Sequence, residues 1–539
     1  MPSTKKKLLT IRNLKKYFPV GKDSSFRKAK LFVRANEDIS IDIYEGETLG
    51  LVGESGCGKS TFGRVLLQLY PQTAGSTMYY GRTLDEVAPK YVGDTLKNAR
   101  RMTEKYFTAQ KKADEAQAKL EAAGESASHE LHNEANQAAF DAENALNNAA
   151  QVLGGLMVVP NIEEPAKVVY ALFEERVALY KLKEQRKDLQ LRCDTAAEAA
   201  KAKGSLDQDK KYAKLKELLA ETEKKIDESE SKCRELQLSA DQERAKYRDL
   251  PDFEKYEVLR DDGVDLSRLT YDEIRHLRKD IQIIFQDPYS SLNPRMTIGQ
   301  IIEEGLVTHN MYRKGAEDTK QYILKVMREC GLQDYMLHRY PHQFSGGQRQ
   351  RISIARALAV NPKFVVCDEC VSALDVSIQS QIINLLQELK EKQGLTYLFI
   401  SHDLSVVKYI SDRIAVMYLG NVVELADKKA IFDDPRHPYT VALLSAIPTT
   451  DPDSASKERI ILEGNIPSPI NPPTGCKFHT RCYMATEKCK RITPMLNEVE
   501  PGHFVACHFA QRKLDENGNY LFEIPKKGNN QRDNGTVQK

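Results

Sequence analysis

The sequence predicts an α/β fold that is interrupted by a long helical segment. A short apolar strand pattern at 49–52 runs directly into a glycine-rich loop and then into a helix with periodic apolar residues. A second apolar run, at 364–367, ends in two carboxylates. Between these two motifs lies a stretch rich in Ala, Glu and Lys whose apolar residues recur in steps of three and four.

The composition limits the classes of partner. The chain has 539 residues, which leaves room for two or three domains, and its 79 basic and 77 acidic residues give a net charge of +2. This balance gives no electrostatic reason to expect nucleic acid as a partner. No run of 18 apolar residues is present, so membrane association is expected to come through a partner. The basic N-terminus has no signal-peptide core, so the ten cysteines are expected to be reduced in the cytosol.

The segment 82–258 is predicted to form paired helices. One apolar seam steps by four and three residues, as in a coiled coil: Leu215, Leu219, Thr222, Ile226, Ser229, Cys233 and Leu236. A weaker seam comprises Val168, Leu172, Leu179, Leu182 and Leu189. Breaks at Gly124–Ser128, Gly154–Pro165 and Lys203–Ser205 predict antiparallel hairpins. A solvated spacer arm is favoured over a specific docking surface, and the segment carries no catalytic constellation.

The glycine-rich loop fits the phosphate-loop pattern G-x-x-x-x-G-K-[ST] in its strand–loop–helix context. Its glycines let backbone N–H groups approach the phosphates of ATP, and the helix N-terminus adds partial positive charge. Lys59 is predicted to bridge the β- and γ-phosphates, and Ser60 to coordinate Mg²⁺. The predicted ATP-binding residues here are Gly53, Ser55, Gly56, Cys57, Gly58, Lys59, Ser60 and Thr61.

Two further motifs lie downstream. Asp368 and Glu369 end the apolar strand, where Asp368 is predicted to hold the Mg²⁺ shell and Glu369 to act as the general base. Upstream of them, Ser345-Gly346-Gly347-Gln348 begins a predicted helix, and exposed N–H groups there can bind an anion.

The phosphate loop, Ser-Gly-Gly-Gln and Asp-Glu, in this order, resemble an ABC-type nucleotide-binding domain. The resemblance implies a RecA-like core, an antiparallel β subdomain and an α-helical signature subdomain. It also implies that the signature residues Ser345, Gly346, Gly347 and Gln348 act in trans on ATP held by an opposite subunit. Two positions depart from the usual pattern: Phe344 replaces Leu, and Cys370 replaces the Pro after the catalytic Glu, but both carboxylates remain.

Other family elements match at the expected places. Gln286 matches the Q-loop glutamine, which contacts Mg²⁺ and couples to the membrane subunit, and Asp375 matches the D-loop. His402 matches the switch histidine that touches the γ-phosphate. Tyr17 matches the aromatic residue that stacks on adenine, with Phe18 as the competing candidate.

Four stretches resemble a narrower group, the ATP-binding subunits of dipeptide and oligopeptide permeases, and specifically the F-type paralogue. They are FQDPYSSLNPR (285–295), CDECVSALDVSIQ (367–379), TYLFISHDLSVV (396–407) and RHPYTVALLSAIP (436–448). The resemblance covers about 8–81 and 259–510. It implies two membrane permease subunits, a paralogous ATPase that completes a heterodimer, an extracellular solute-binding protein, and a peripheral location on the cytoplasmic face of the membrane.

Two alternative functions remain open from the sequence. Nickel, sugar and opine importers share this ATPase subfamily, so the resemblance leaves these solutes open beside peptides. Chromosome-maintenance ATPases of the SMC and Rad50 kind also carry coiled coil, but there it lies between the Q-loop and the signature. In this chain the insertion ends before Gln286, and 286–345 is continuous.

Four cysteines gather near the C-terminus with the spacing C-x₅-C-x₆-C-x₁₇-C: Cys476, Cys482, Cys489 and Cys507. Four thiolates in a small segment favour a metal or Fe–S site, although the C-x₂-C pairs of common zinc sites are missing. The permease resemblance implies a [4Fe–4S] cluster, and Zn²⁺ or free thiols remain as alternatives.

The predicted domain boundaries follow from these motifs. Residues 1–81 and 259–445 form the ATPase domain, 82–258 the helical insertion, 446–515 the cysteine-containing region, and 516–539 a tail. The composition of Lys526–Lys539 predicts disorder. The sequence does not name the solute, nor does it decide between a heterodimeric and a homodimeric ATPase pair.

Overall fold

The computed structural model describes residues 5–20, 31–123, 129–202, 210–447 and 460–510. The predicted breaks at Gly124–Ser128 and Lys203–Ser205 lie outside the described residues, as do the predicted tail 516–539 and its disordered part Lys526–Lys539.

The strands are β1 (Lys7–Pro19), β2 (Phe32–Tyr44), β3 (Thr48–Val52), β4 (Ala74–Tyr79), β5 (Val264–Asp265), β6 (Ile281–Ile284), β7 (Phe364–Asp368), β8 (Thr396–Ile400), β9 (Arg413–Tyr418), β10 (Asn421–Asp427), β11 (Asn497–Glu500) and β12 (His503–Val505). The helices are α1 (Lys59–Leu66), α2 (Leu84–Val87), α3 (Lys90–Lys97), α4 (Ala99–Ala123), α5 (His129–Leu153), α6 (Glu163–Ala202), α7 (Lys210–Lys246), α8 (Phe253–Glu257), α9 (Tyr271–Leu277), α10 (Pro288–Ser291), α11 (Ile298–Thr308), α12 (Glu317–Glu329), α13 (Gly346–Leu358), α14 (Val376–Gln393), α15 (Leu404–Ile410), α16 (Lys428–Asp433), α17 (Pro438–Ser445) and α18 (Glu487–Arg491).

The chain divides into two compact units, the first comprising Met1–Lys6, Asn13–Thr73 and Leu277–Lys539, and the second Lys7–Arg12 and Ala74–His276. Within the described residues, the strands form a four-stranded sheet with the order β2-β1-β4-β5 and an eight-stranded sheet with the order β11-β12-β10-β9-β3-β8-β7-β6. The predicted mixed α/β content is therefore present.

The eight-stranded sheet forms the centre of the first unit. Strands β9, β3, β8, β7 and β6 are parallel neighbours, and β10, β12 and β11 extend the sheet with antiparallel pairs. Strands β3, β7 and β8 are buried along their whole length, which is typical of a parallel sheet covered on both faces. Because parallel strands end at the same edge, the loops after β3, β6, β7 and β8 meet there.

The second unit contains the long helices α4 to α7. A buried cluster includes Leu96, Tyr106, Leu156, Phe253 and Tyr256. The predicted break at Gly154–Pro165 is shorter than expected, since a 3₁₀ turn covers Gly154–Val158 and α6 already begins at Glu163.

Helices α6 and α7 pack side by side. Arg176 donates to Gln237 at 2.6 Å, and Lys183 pairs with Glu230 at 2.7 Å. The residue numbers rise along one helix as they fall along the other, so the two helices run antiparallel. The predicted seam of α7 lies on its less exposed side, where Leu215, Thr222, Ile226 and Ser229 are buried, so burial against a neighbour accounts for the observed spacing.

The antiparallel edge of the first unit encloses buried polar side chains. Glu424 of β10 accepts a hydrogen bond from His503 at 2.8 Å and two from the backbone N–H groups of Arg436 and His437. Tyr439 donates its backbone N–H to Nδ1 of His437 at 3.1 Å, so this nitrogen carries a lone pair and the ring is neutral. Burial lowers the pKa of His437 to about 4.

The neutral state of His437 predicts a pH-dependent stability. The unfolded chain binds a proton near pH 6.5 whereas the folded chain binds it near pH 4, so stability is full above pH 6.5 and falls as the pH drops toward 4. Between pH 7 and pH 5 we expect this histidine to cost about 2 kcal/mol of unfolding free energy. Denaturant unfolding at both pH values should show this loss in the wild type and not in His437→Gln, whose amide oxygen accepts the same N–H. An equal loss in both proteins would contradict the assignment.

No helix in the described ranges is both long and apolar enough to cross a membrane.

Candidate active site

The loop between β3 and α1 adopts the conformation that a phosphate loop requires. Gly53, Gly56 and Gly58 have φ of 150°, 80° and 101°, which residues with a Cβ rarely adopt. A Cβ on Gly53 would lie 2.2 Å from the carbonyl oxygen of Met417, and one on Gly58 would lie 2.1 Å from that of Ala35. Glycine is therefore required at these two positions by neighbouring backbone as well as by torsion.

These contacts predict different effects for two alanine substitutions. Gly58→Ala and Gly56→Ala both force alanine into positive φ, at a cost of about 1–2 kcal/mol. Only Gly58→Ala also collides with neighbouring backbone, because nothing lies within 4 Å of a Cβ on Gly56. We therefore expect Gly58→Ala to lower the unfolding temperature further and to abolish binding of a fluorescent ATP analogue, whereas Gly56→Ala retains measurable binding. Equal unfolding temperatures and equal binding in the two variants would contradict the predicted collision between a Cβ at position 58 and the neighbouring backbone.

Lys59 begins α1 and is folded back into the loop. Its Nζ donates to the carbonyl oxygens of Gly53 at 2.8 Å and Glu54 at 3.1 Å, and its side chain is buried. A buried ammonium inside a ring of backbone groups is well placed to receive phosphate oxygens. Ser55 and Gly56 are exposed, Ser60 and Thr61 are half-buried, and Cys57 is buried, which raises the pKa of its thiol.

Ser60 and Asp368 are brought together from α1 and the end of β7. The Ser60 hydroxyl donates to Oδ1 of Asp368 at 2.6 Å, and Arg64, one helical turn further along, pairs with Oδ2 at 3.3 Å. Asp368 is buried. Hard oxygen donors of this kind suit Mg²⁺, so the residues present fit the predicted ion.

Glu369, Gln286 and His402 form a second group at the same edge of the sheet. Gln286 donates its Nε2 to Oε2 of Glu369 at 2.9 Å, and Nδ1 of His402 lies 3.5 Å from Oε1. Glu369 has a φ of 49°, and strained backbone of this kind concentrates at functional positions. The carboxylate is therefore held between two polar side chains that come from the loops after β6 and β8.

The Ser-Gly-Gly-Gln motif lies where α13 begins. Ser345 accepts from the N–H of Gln348 at 3.4 Å, and the Gln348 side chain accepts from the N–H of Ser345 at 3.2 Å, forming a capping box. Ser345 and Gly346 are exposed, Gly347 is half-buried, and Asp375, which precedes α14, is also exposed. These residues therefore present a helix N-terminus to the outside of the molecule.

The two aromatic candidates have different environments. The Tyr17 hydroxyl donates to Glu37, and the Arg34 guanidinium lies 5.8 Å from the ring centroid of Tyr17. Phe18 packs edge-on against Tyr70 with centroids 5.5 Å apart, and Nζ of Lys16 lies 4.6 Å from the centroid of the Phe18 ring.

The four C-terminal cysteines line one cavity, together with apolar side chains and His437, His479 and His508: Cys476, Cys482, Cys489 and Cys507. Burial, with the nearby thiols adding to it, raises the pKa of Cys482 to about 12 and that of Cys507 to about 11. As they stand in the described part of the chain, however, no three His, Cys, Asp or Glu side chains are grouped to hold a metal ion. The cavity brings together the four soft sulfur donors of the predicted site, without the ligand grouping that the family resemblance implies for them.

Three residues that contact Asp368 or the phosphate loop were not predicted from the sequence. Arg64 could have been found, because it lies four residues after Ser60 on the same helix face. Arg481 and Tyr439 could not: both contact Glu54 of the phosphate loop, and Arg481 is 427 residues away from it in sequence.

Comparison with known proteins gives consistent matches. A family model described as "ABC transporter" matches residues 36–159 and 253–372, and one described as "Oligopeptide/dipeptide transporter, C-terminal region" matches 423–489. The chain is 55% identical over 248 residues to the oligopeptide transport ATP-binding protein AppF of Bacillus subtilis, covering 46% of this chain and 75% of that protein. It is 53% identical over 246 residues to OppF of Salmonella typhimurium, covering 46% and 73%.

Proposed function

Because the chain belongs to the family of ABC transporter ATP-binding proteins, we propose that it hydrolyses ATP to power the import of oligopeptides or dipeptides across a membrane. One observation supports this proposal most strongly: the phosphate-binding and catalytic residues meet at one edge of the parallel sheet. They are the phosphate loop, Asp368, Glu369, Gln286 and His402. The identity to AppF and OppF and the match over 423–489 support peptides as the solute.

The contacts suggest a division of labour for binding. Lys59 would exchange its two carbonyl partners for phosphate oxygens, since an ammonium binds charged oxygens more strongly. Ser60 and Asp368 would hold Mg²⁺, which neutralises charge on the phosphates. Ser55, Gly56, Cys57, Gly58 and Thr61 would supply backbone N–H groups and a hydroxyl, and the ring of Tyr17 would stack on adenine.

Hydrolysis would depend on Glu369. Its carboxylate would accept a proton from the attacking water, Gln286 would orient that water and contact Mg²⁺, and His402 would donate to the γ-phosphate. Ser345, Gly346, Gly347 and Gln348 would complete the site of a second ATPase in trans, with Asp375 at the same interface. The exposure of Ser345 and Gly346 at the start of α13, and of Asp375 before α14, supports this proposal.

The roles proposed for these residues imply a larger transporter assembly. We propose two permease subunits that dock near Gln286, a paralogous ATPase as the partner in trans, a peripheral position on the cytoplasmic face, and a solute-binding protein outside. The insertion 82–258 would form a coiled-coil arm, for which the antiparallel contacts of α6 and α7 give support.

We propose a [4Fe–4S] cluster for the four C-terminal cysteines, with Zn²⁺ as the alternative. Cys476, Cys482, Cys489 and Cys507 would hold it through thiolates after losing their protons. Their shared cavity supports this proposal. Iron, sulfide and zinc analysis of protein purified without oxygen tests it: about four irons and four sulfides per chain is the expected result, and protein without metal would contradict it.

The transport proposal is tested by purifying the chain with its permeases. ATP hydrolysis by the complex should rise when a peptide-loaded binding protein is added, and a binding protein without peptide is the matched control. Hydrolysis that responds to DNA and not to peptide would overturn the proposal in favour of a chromosome-type ATPase.

A further inference from the structure

A side chain from the cysteine-containing region reaches the phosphate loop directly. Arg481 precedes Cys482 and donates through both terminal nitrogens to Glu54, at 2.7 Å and 3.1 Å. The Arg481 side chain is 7% exposed and that of Glu54 is 26% exposed. A paired, two-point contact of this kind fixes direction as well as distance.

Buried aromatic rings hold this contact in place. The Phe478 ring packs against those of Tyr418 and Tyr439, with centroids 5.1 Å and 5.4 Å away, and all three side chains are fully buried. The Tyr439 hydroxyl accepts the backbone N–H of Glu54 at 2.9 Å. Both the side chain and the backbone of Glu54 are thus held from outside the loop.

A second set of hydrogen bonds connects the cysteine-containing region to the phosphate loop indirectly. Lys477 donates to the carbonyl oxygen of Leu419 at 3.4 Å. The next residue, Gly420, donates its N–H to the carbonyl oxygen of Cys57 at 2.9 Å. Segment 476–482 therefore contacts the phosphate loop near its beginning through Arg481 and, by way of the turn at 419–420, near its middle.

Glu54 also poses an electrostatic problem. It places a carboxylate within the loop that would wrap the phosphates, and like charges about 4 Å apart repel by roughly 1–4 kcal/mol at the effective dielectric constants of water and of protein surfaces. Arg481 neutralises this charge and turns the carboxylate toward itself. Among the described residues, Glu369, Gln286 and His402 do not contact the Glu54 carboxylate.

We infer that Arg481 is a positioning residue for ATP binding: by pairing with Glu54 it braces the phosphate loop and removes a charge that repels the phosphates. The inference rests on the proposed ATP-binding role of the loop. It gives the cysteine-containing region a direct part in nucleotide affinity, separate from anything that its cysteines hold.

The decisive experiment measures the Kd of a fluorescent ATP analogue, and KM and kcat for ATP, in Arg481→Met, Glu54→Gln and the double variant. Arg481→Met should raise Kd and KM about tenfold and change kcat much less. The double variant should recover wild-type affinity within about threefold, because two neutral side chains leave no unpaired charge. Arg481→Lys should give an intermediate affinity, because it keeps the charge and loses the two-point geometry.

Arg436→Met is the matched control. The side chain of Arg436, which precedes the cysteine-containing region, is 9% exposed and pairs with Glu500 within that region. Its loss should therefore lower the unfolding temperature without raising the Kd for ATP. Unchanged affinity in Arg481→Met, or no recovery in the double variant, would overturn the inference. If Arg481→Met does not fold, the other two variants provide the test. Wild-type affinity in Arg481→Lys, or no recovery of affinity in the double variant, would then overturn the inference. Wild-type protein that does not bind the analogue would instead overturn the proposed function.

Discussion

Glu369→Gln is expected to lower kcat for ATP hydrolysis by about 10²- to 10⁴-fold, the usual contribution of a positioned general base. Glutamine keeps the shape and can still contact Gln286 and His402, but it does not accept the proton of the attacking water. ATP binding should persist, because Lys59, Ser60 and Asp368 are unchanged. Steady-state hydrolysis and equilibrium binding of ATP, measured on the same preparation, check both halves of the prediction.

Glu498→Gln is the matched control for this variant. Glu498 is an exposed residue of β11, so the same chemical change there should leave kcat and binding as in the wild type. Hydrolysis within about tenfold of wild type in Glu369→Gln would fall below the range expected for a general base and would assign that role to another group.

Lys59→Met is expected to weaken ATP binding by about 2–5 kcal/mol, roughly 30- to 5,000-fold in Kd. Methionine fills similar space but leaves the carbonyl oxygens of Gly53 and Glu54 without their donor and gives the phosphates no cation. Hydrolysis should be lost together with binding, which separates this variant from Glu369→Gln. Isothermal titration with ATP and Mg²⁺ measures the change.

Lys490→Met provides the comparison for Lys59→Met. Lys490 pairs with Glu487 on the surface, where both side chains are more than half exposed, and such pairs contribute little to stability. Its Kd for ATP should equal that of the wild type. ATP binding by Lys59→Met at wild-type affinity would contradict the proposed role of the phosphate loop.

The local parts of the site could be predicted from the sequence, because each is a short motif in one element. The strand, loop and helix around Lys59 are contiguous, and the carboxylates end an apolar run that forms β7. The meeting of Gln286 and His402 at Glu369 is different, since Gln286 lies 83 residues away in sequence. The family resemblance placed these residues together, and the parallel order of β6, β7 and β8 gives the physical reason.

The long-range supports of the loop could not be predicted. Arg481 and Lys477 belong to no motif, and the 436–448 stretch that contains Tyr439 gives no sign of its contact. These contacts arise only when the chain after β10 folds back onto the phosphate loop and the turn at 419–420. The four cysteines show the opposite limit: their number in one small segment predicts a metal site and they do share a cavity, yet the described side chains are not grouped as ligands. Spacing along a loop-rich segment does not determine how closely sulfur atoms approach.

Peptide uptake into proteoliposomes tests the central claim most directly. Vesicles would contain this chain, the proposed paralogous ATPase and the proposed pair of permeases. A radiolabelled oligopeptide and a binding protein would be on the solute side, and ATP with Mg²⁺ on the other. We predict uptake that requires ATP and is lost when Glu369→Gln replaces the wild-type chain. Uptake that proceeds equally with Glu369→Gln, or without ATP, would contradict the claim that this chain powers import.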